Sequence, residues 1–295
     1  MEALRTNTRI SLSNILVTTD FSAVSKTALP YAAALAGQYG AKMVIAHALS
    51  PELPLGVPVD PLPVEDDPAW LEAEERLAVF ALGNSPQVRP AKLLLERGEV
   101  WGVISHIIQK EKIDLVVTGT HGRQGLRKLM MGSEAEKIYR RATCPVLTVN
   151  PQVPALSCLS WTIKTVLFPT DGSETSLKAL PYALSLAEEN QANLILFRLM
   201  PLAPVEYQES DASSVLEELW TLVPAEAENW CKPEFVAGFE LPADGILGLA
   251  KERDVDLIVM GVRKSSGSAL SEHKPWPVAS QVVAQAQCPV LTVRG

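Results

Sequence analysis

Aromatic residues are scarce in this 295-residue chain, 6% against a hydrophobic total of 47%. A core drawn from that composition has to be aliphatic, which suits a sheet rich in Val, Ile and Leu with helices packed on it. Cysteine is sparse as well. Cys144, Cys158, Cys231 and Cys288 show no CxxC spacing and no metal-finger pattern, so they read as free thiols in a reducing compartment. No stretch reaches the ~18 uninterrupted apolar residues of a membrane span, and residues 1–14 lack the apolar core of a leader. These absences predict a cytoplasmic protein with no membrane insertion. Positive charge is in deficit: the net charge of −8 argues against nonspecific binding to nucleic acid or anionic membranes. There is no Gly-x4-Gly-Lys-Ser/Thr loop, no Ser-Gly-Gly-x-Asp-Ser loop of the adenylyl-transferring enzymes, and no nucleophile–base pair or paired carboxylates in a shared motif.

What the sequence has is a repeat. Asn14-Ile-Leu-Val-Thr-Thr-Asp20-Phe-Ser22 resembles Thr165-Val-Leu-Phe-Pro-Thr-Asp171-Gly-Ser173, with Asp20 and Asp171 separated by 151 positions. Thr27-Ala-Leu-Pro-Tyr-Ala32 matches Lys178-Ala-Leu-Pro-Tyr-Ala183 at the same separation. Asp114-Leu-Val-Val-Thr-Gly119 matches Asp256-Leu-Ile-Val-Met-Gly261 at 142, and Cys144-Pro-Val-Leu-Thr-Val149 is identical to Cys288-Pro-Val-Leu-Thr-Val293 at 144. The matches keep their order, and the separation changes only between elements, where loops absorb insertions. The chain is a duplication, with domains expected at 1–150 and 160–295 and a Pro-containing linker between them.

Within each copy short aliphatic runs alternate with longer helical ones, the pattern of βαβ units around a parallel sheet. The first copy predicts strands near 14–19, 42–48, 91–96, 114–119 and 145–149, with helices near 23–39, 69–82, 99–111 and 133–142. The second predicts strands near 165–170, 193–199, 234–240, 256–261 and 289–293, with helices near 174–190, 211–229, 242–253 and 276–286.

In such a sheet ligands bind beyond the carboxyl ends of the strands. After the fourth strand of copy one stands Gly119-Thr-His121-Gly122-Arg123, and the run ends in Gly132-Ser133 at a helix start. Small residues admit a ligand close to the backbone, and the free N–H groups of a helix start suit an anion such as phosphate. Ser133-Glu-Ala-Glu136 also reads as a capping box, which needs no ligand. Asp20 either meets the ligand or caps the next helix, and Ser22 is a second cap candidate. His47 reads as a satisfied core or rim histidine. Arg123 either neutralises phosphate or stands solvated, and His121 is read as part of the loop, not as a metal ligand.

The Gly-x2-Gly-x9-Gly-Ser loop, the Asp-x-Ser after strand one, His47-Ala48 after strand two and the Cys-Pro-Val-Leu-Thr-Val strand together resemble the universal stress protein family, twice over. That resemblance implies two tandem open parallel five-stranded α/β sheets of order 3-2-1-4-5, Rossmann-like and akin to the adenine nucleotide alpha hydrolases. It also implies ATP binding with Mg2+ or Mn2+. Thr19, Asp20 and the backbone near Ala48 would hold adenine and ribose. Gly119, His121, Gly122, Arg123, Gly132, Ser133 and Glu134 would surround the phosphates. The family often has a proline beside Thr19, as copy two has Pro169.

Copy two is altered. In register, Gly122 becomes Lys264, Gly132 becomes Lys274, Ser133 becomes Pro275, and His47-Ala48 becomes Arg198-Leu199. Lysine fills space the backbone needs, and proline removes an N–H. The expectation is an ATP-binding regulatory or stress-response protein with ATP in the first domain only and at most slow hydrolysis. The alternatives are a nucleotide-free scaffold, or a different anion on Arg263, Lys264, His273 and Lys274. The outer strands ending at Val149 and Val293 predict that the two domains pair as a pseudo-dimer, and a homo-oligomer is left open.

Overall fold

The structure is a computed structural model, describing residues 9–50, 67–82, 91–120, 132–156, 160–200, 205–231, 233–238, 242–263 and 278–295. The first repeat runs β1 (Asn14–Thr18), α1 (Ala23–Tyr39), β2 (Lys42–Leu49), α2 (Pro68–Leu82), β3 (Lys92–Arg97), α3 (Val100–Lys110), β4 (Leu115–Gly119), α4 (Ser133–Arg141) and β5 (Val146–Val149). Every pairing is parallel, and the strand order is β3-β2-β1-β4-β5. Val17 of β1 stands between Ile45 of β2 and Val117 of β4, and all three are fully buried. Helices on both faces explain why these strands read as unbroken aliphatic runs instead of alternating ones.

The second repeat runs β6 (Thr165–Thr170), α5 (Glu174–Leu177), α6 (Leu180–Asn190), β7 (Asn193–Leu199), α7 (Val205–Thr221), a 3-10 turn (Ala225–Asn229), β8 (Glu234–Gly238), α8 (Pro242–Glu252), β9 (Leu257–Val262), α9 (Val278–Gln285) and β10 (Val290–Arg294). Its order, β8-β7-β6-β9-β10, repeats the first, again all parallel. Both sheets have the order expected from the sequence.

Two compact units result, and each takes in a short segment from elsewhere in the chain. Residues 9–11 pack with the second repeat, where Ile10 N–H donates to Ser185 Oγ at 2.8 Å and Arg9 pairs with Glu188 at 3.3 Å. Trp161 packs with the first repeat, edge-on to Tyr31 with ring centroids 5.0 Å apart.

The helix expected over 174–190 is broken. Pro181 cannot donate to the carbonyl one turn back, and the chain tightens into i→i+3 bonds, Ala179 N to Ser176 O and Tyr182 N to Ala179 O, both 3.1 Å. The matching Pro30 is carried inside an unbroken α1.

Candidate functional site

Strand order reverses between β1 and β4, so the chain leaves the sheet there in opposite directions and opens a crevice. At the end of β1, Thr19 is buried and has every polar group engaged. Its N–H donates to Ala46 O at 3.0 Å, its carbonyl accepts from His47 Nδ1 at 2.7 Å, and its hydroxyl accepts Phe21 N–H at 2.9 Å and meets Ser25 Oγ at 3.0 Å. A carbonyl only accepts, so His47 carries its proton on Nδ1 here. Asp20 Oδ1 accepts Ser22 N–H at 3.0 Å, and Ser22 Oγ accepts Ser25 N–H at 3.2 Å. Ser22 is therefore the cap of α1, and Asp20 forms the turn before it. Ala48, half-buried in β2 opposite Glu96, lies next to His47.

Between Asp20 and Ser22 stands a residue the sequence reading passed over. Phe21 has a φ of 65°, a left-handed backbone that costs a bulky residue about 1–3 kcal/mol. Its ring lies 4.3 Å from the His47 ring and 6.3 Å from Phe80, edge-on, with the Arg76 guanidinium over it at 4.5 Å. The aligned Gly172 was the signal in the sequence, because glycine is the usual occupant of such a backbone.

At the end of β4, a Cβ on Gly119 would come 3.1 Å from Ser25 N and Val24 Cγ1, so this glycine lets α1 close on the strand. Thr120, fully buried, donates its N–H to Val149 O at 2.9 Å, and its carbonyl accepts Gly132 N–H at 2.7 Å. The chain thus departs and returns at one hydrogen-bonded point. His121, Gly122 and Arg123 lie between, outside the described residues.

The capping box expected at Ser133 does not form. Gly132 is the cap residue, with no side chain to offer, because its N–H is drawn to Thr120 O and its carbonyl already takes Glu136 N–H at 3.1 Å. Ser133, exposed, is the first helical residue, and Glu136 pairs with Arg140 at 2.9 Å. The N–H groups of residues 133–135 have no hydrogen bond among the described residues. Helix termini with orphan donors and a positive dipole end attract anions. Next to them Glu134 Oε1 pairs with Lys137 at 2.8 Å, while Glu134 Oε2 is buried without a hydrogen-bond partner. Lys137 also reaches Glu99 at 3.1 Å, and its hydrogen bonds to Glu134 and Glu99 raise its pKa.

The second repeat builds the same turn with other groups around it. Thr170 Oγ1 accepts Gly172 N–H at 3.0 Å and meets Ser176 Oγ at 2.8 Å, while Ser173 caps α5. Gly172 has a φ of 76°. Arg198, in the place of His47, puts Nη1 2.8 Å from where a Cβ on Gly172 would stand, and pairs with Glu218 at 2.6 Å. Arg263 pairs with Asp171 at 3.2 Å. Burial raises the Asp171 pKa, but hydrogen bonds from Ser173 and Ser176 and the charge of Arg263 outweigh it and bring the group to about 2. Lys264, His273, Lys274 and Pro275 lie outside the described residues.

The three described thiols are held in the protonated form. Burial pushes Cys144 and Cys288 up to about 12 and Cys231 to about 11, and Cys158 lies outside the described residues. Among the described residues no group of three His, Cys, Asp or Glu could hold a metal ion, and no helix is long and apolar enough to cross a membrane.

Comparison with known proteins identifies the family and the fold. A universal stress protein of Methanocaldococcus jannaschii is 31% identical over 143 residues, covering 44% of this chain and 82% of that protein. One of Thermus aquaticus is 34% identical over 138 residues, 46% of this chain and 97% of that protein. The crystal structure of a universal stress protein from Archaeoglobus fulgidus superposes with a TM-score of 0.70, covering 95% of this chain and 98% of that one at 18% identity, a likeness of fold. The model of the universal stress protein family matches residues 12–150 and again 162–294, and the chain therefore belongs to that family as a tandem member.

Proposed function

We propose that the first repeat binds one ATP per chain and that the protein acts as a nucleotide-dependent regulator of the stress-response type. The observation that carries this reading is the start of α4. Its first N–H groups have no partner among the described residues, and they stand where the chain returns beside the crevice between β1 and β4. The resemblance assigns the phosphates to this helix start and to the loop containing Gly122. It assigns adenine and ribose to Thr19, Asp20 and the Ala48 backbone.

A carboxylate beside phosphates repels them unless a cation stands between. Glu134 Oε2, buried and unpartnered, fits a Mg2+ or Mn2+ ion that arrives with the nucleotide. Such an ion would neutralise phosphate charge. The chain's own residues hold and orient, and among those described none is placed as a general base. Turnover is accordingly expected to stay well below the order of 10 per second typical of enzymes.

Calorimetric titration of the full chain tests the reading. One ATP per chain is expected, weakened at least ~10-fold by Gly122→Lys, because losing charge-assisted backbone bonds outweighs an added surface charge. Two ATP per chain, or undiminished binding by Gly122→Lys, would show the asymmetry to be misread. A chain that releases no nucleotide on denaturation and takes up none when titrated would be a scaffold.

A further inference from the structure

Phe21 occupies a backbone conformation that a bulky side chain holds only where its surroundings fix it. Among the described residues those surroundings come from two elements, which meet the turn after β1. His47 is on β2, Arg76 and Phe80 are on α2, and Phe21 itself follows β1. Behind the ring the coupling continues through hydrogen bonds. His47 Nδ1 donates to the carbonyl of Thr19, and Phe21 N–H donates to the hydroxyl of the same residue. The Thr19 carbonyl belongs to the peptide that leads into Asp20, so the ring, the imidazole and the direction of the Asp20 carboxylate are linked.

The second repeat supplies the control. There the same turn forms around Gly172: the Thr170 and Ser176 hydroxyls meet, Gly172 N–H donates to Thr170 Oγ1, and Ser173 N–H donates to Asp171 Oδ1. The turn itself needs no aromatic ring, and glycine adopts its backbone without strain. A strained phenylalanine therefore serves something the first cleft has and the second lacks.

We infer that Phe21 is a positioning residue of the first cleft: its ring, set against His47 and Arg76, holds the Thr19 carbonyl and thereby aims Asp20 at the sugar and base of a bound adenine nucleotide. This rests on the proposed ATP site. Preorganised groups lose their effect when displaced by a fraction of an ångström.

The test uses the full chain with Phe21→Gly and Phe21→Tyr, read by ATP calorimetry and by side-chain 15N NMR of His47. Phe21→Gly should fold, bind ATP ~10-fold or more weakly at unchanged stoichiometry, and give a mixture of His47 tautomers in place of one. Phe21→Tyr should restore both. Should Phe21→Gly not fold, Phe21→Leu against Phe21→Tyr carries the same contrast, since leucine lacks the ring. Wild-type ATP affinity in the variant without the ring overturns the inference. If the wild type binds no ATP, the proposed function falls. The aiming of Asp20 at a nucleotide falls with it, and His47 then decides only whether the ring holds the Thr19 carbonyl: a tautomer unchanged without the ring overturns that link, and a mixture sustains it.

Discussion

At the end of its first strand one repeat places Phe21 at a φ of 65° and the other places Gly172 at 76°. Around the first, an arginine from the helix after strand two lies over the ring, and a histidine of strand two lies against it. Around the second, the arginine has moved to strand two as Arg198, and the helix supplies a carboxylate, Glu218, to meet it. The interior below changes with the surface. Thr18 and Thr118 share a buried hydroxyl bond of 2.7 Å in the first repeat, and their counterparts Pro169 and Met260 make none. Strand order, turn and cap are common to both. What differs is which charges the cleft presents, and whether its own side chains already satisfy them. Ion pairs as exposed as Arg198–Glu218 stabilise a fold by only about 0–1 kcal/mol, so their consequence lies in occupying the cleft.

The comparison can be broken hardest at the glycine near the end of each repeat's fourth strand, Gly119 and Gly261. A Cβ on Gly261 would run into the Thr175 carbonyl oxygen and stand 2.5 Å from Ser176 Cα, both backbone atoms. On Gly119 it would meet its nearest neighbours at 3.1 Å. Gly261→Ala should destabilise the second repeat by on the order of 3 kcal/mol, and Gly119→Ala the first by about 1 kcal/mol. Denaturant unfolding measures both. Equal costs would mean that the two helices do not approach their strands differently.

A smaller effect is expected one turn away. Gly172→Ala forces an L side chain into the left-handed region, where the cost is about 1–2 kcal/mol, with little added by Arg198 because its guanidinium can swing aside. Unfolding free energies of the variant and the wild type check this. A neutral result would mean that the turn relaxes to negative φ, and that the strain assigned to Phe21 is equally avoidable.

Much of this was legible in advance. An identical hexapeptide at the last strand and aliphatic runs of strand length fix the duplication, and burial on both faces leaves no other use for such runs. Asp20, Gly119 and Gly132 drew attention by standing at a strand end or a helix start, whereas Thr19 and Ala48 were named only through the family resemblance. The cap of α4 was not legible, since Ser133 loses that place only through the bond from Gly132 N–H to Thr120 O across the base of a loop. Nor was the break between α5 and α6. Pro30 and Pro181 stand in matching motifs, and whether a missing bond divides the helix depends on how the next turn tightens. Phe21 was hidden for a related reason: its backbone is set by side chains of α2 and β2, and Gly172 at the matching position was the one hint.

The smallest expected effect concerns Asp171, and its sign follows from its pKa. In the folded chain the group lies at about 2, below its ordinary 3.8, so folding favours the charged form. The resulting stability is present above the ordinary value and is lost as pH falls from about 4 through about 2. The full shift would correspond to roughly 2 kcal/mol at about 1.4 kcal/mol per unit. The Asp171 side chain is 55% exposed, however, and its partner Arg263 77%, so solvent screens most of the Arg263 contribution. The bonds from Ser173 N–H and Oγ survive in part with an amide oxygen as acceptor. Asp171→Asn should therefore cost less than about 1 kcal/mol at neutral pH, and less still in high salt. The difference from wild type should shrink as pH falls from about 4 through about 2, where the folded Asp171 is half protonated. Unfolding measured from pH 7 down to pH 2 decides it. A cost that persists at low pH would place the value of Asp171 in its hydrogen bonds, and a cost well above that at neutral pH would make Arg263 a structural lock on the second cleft.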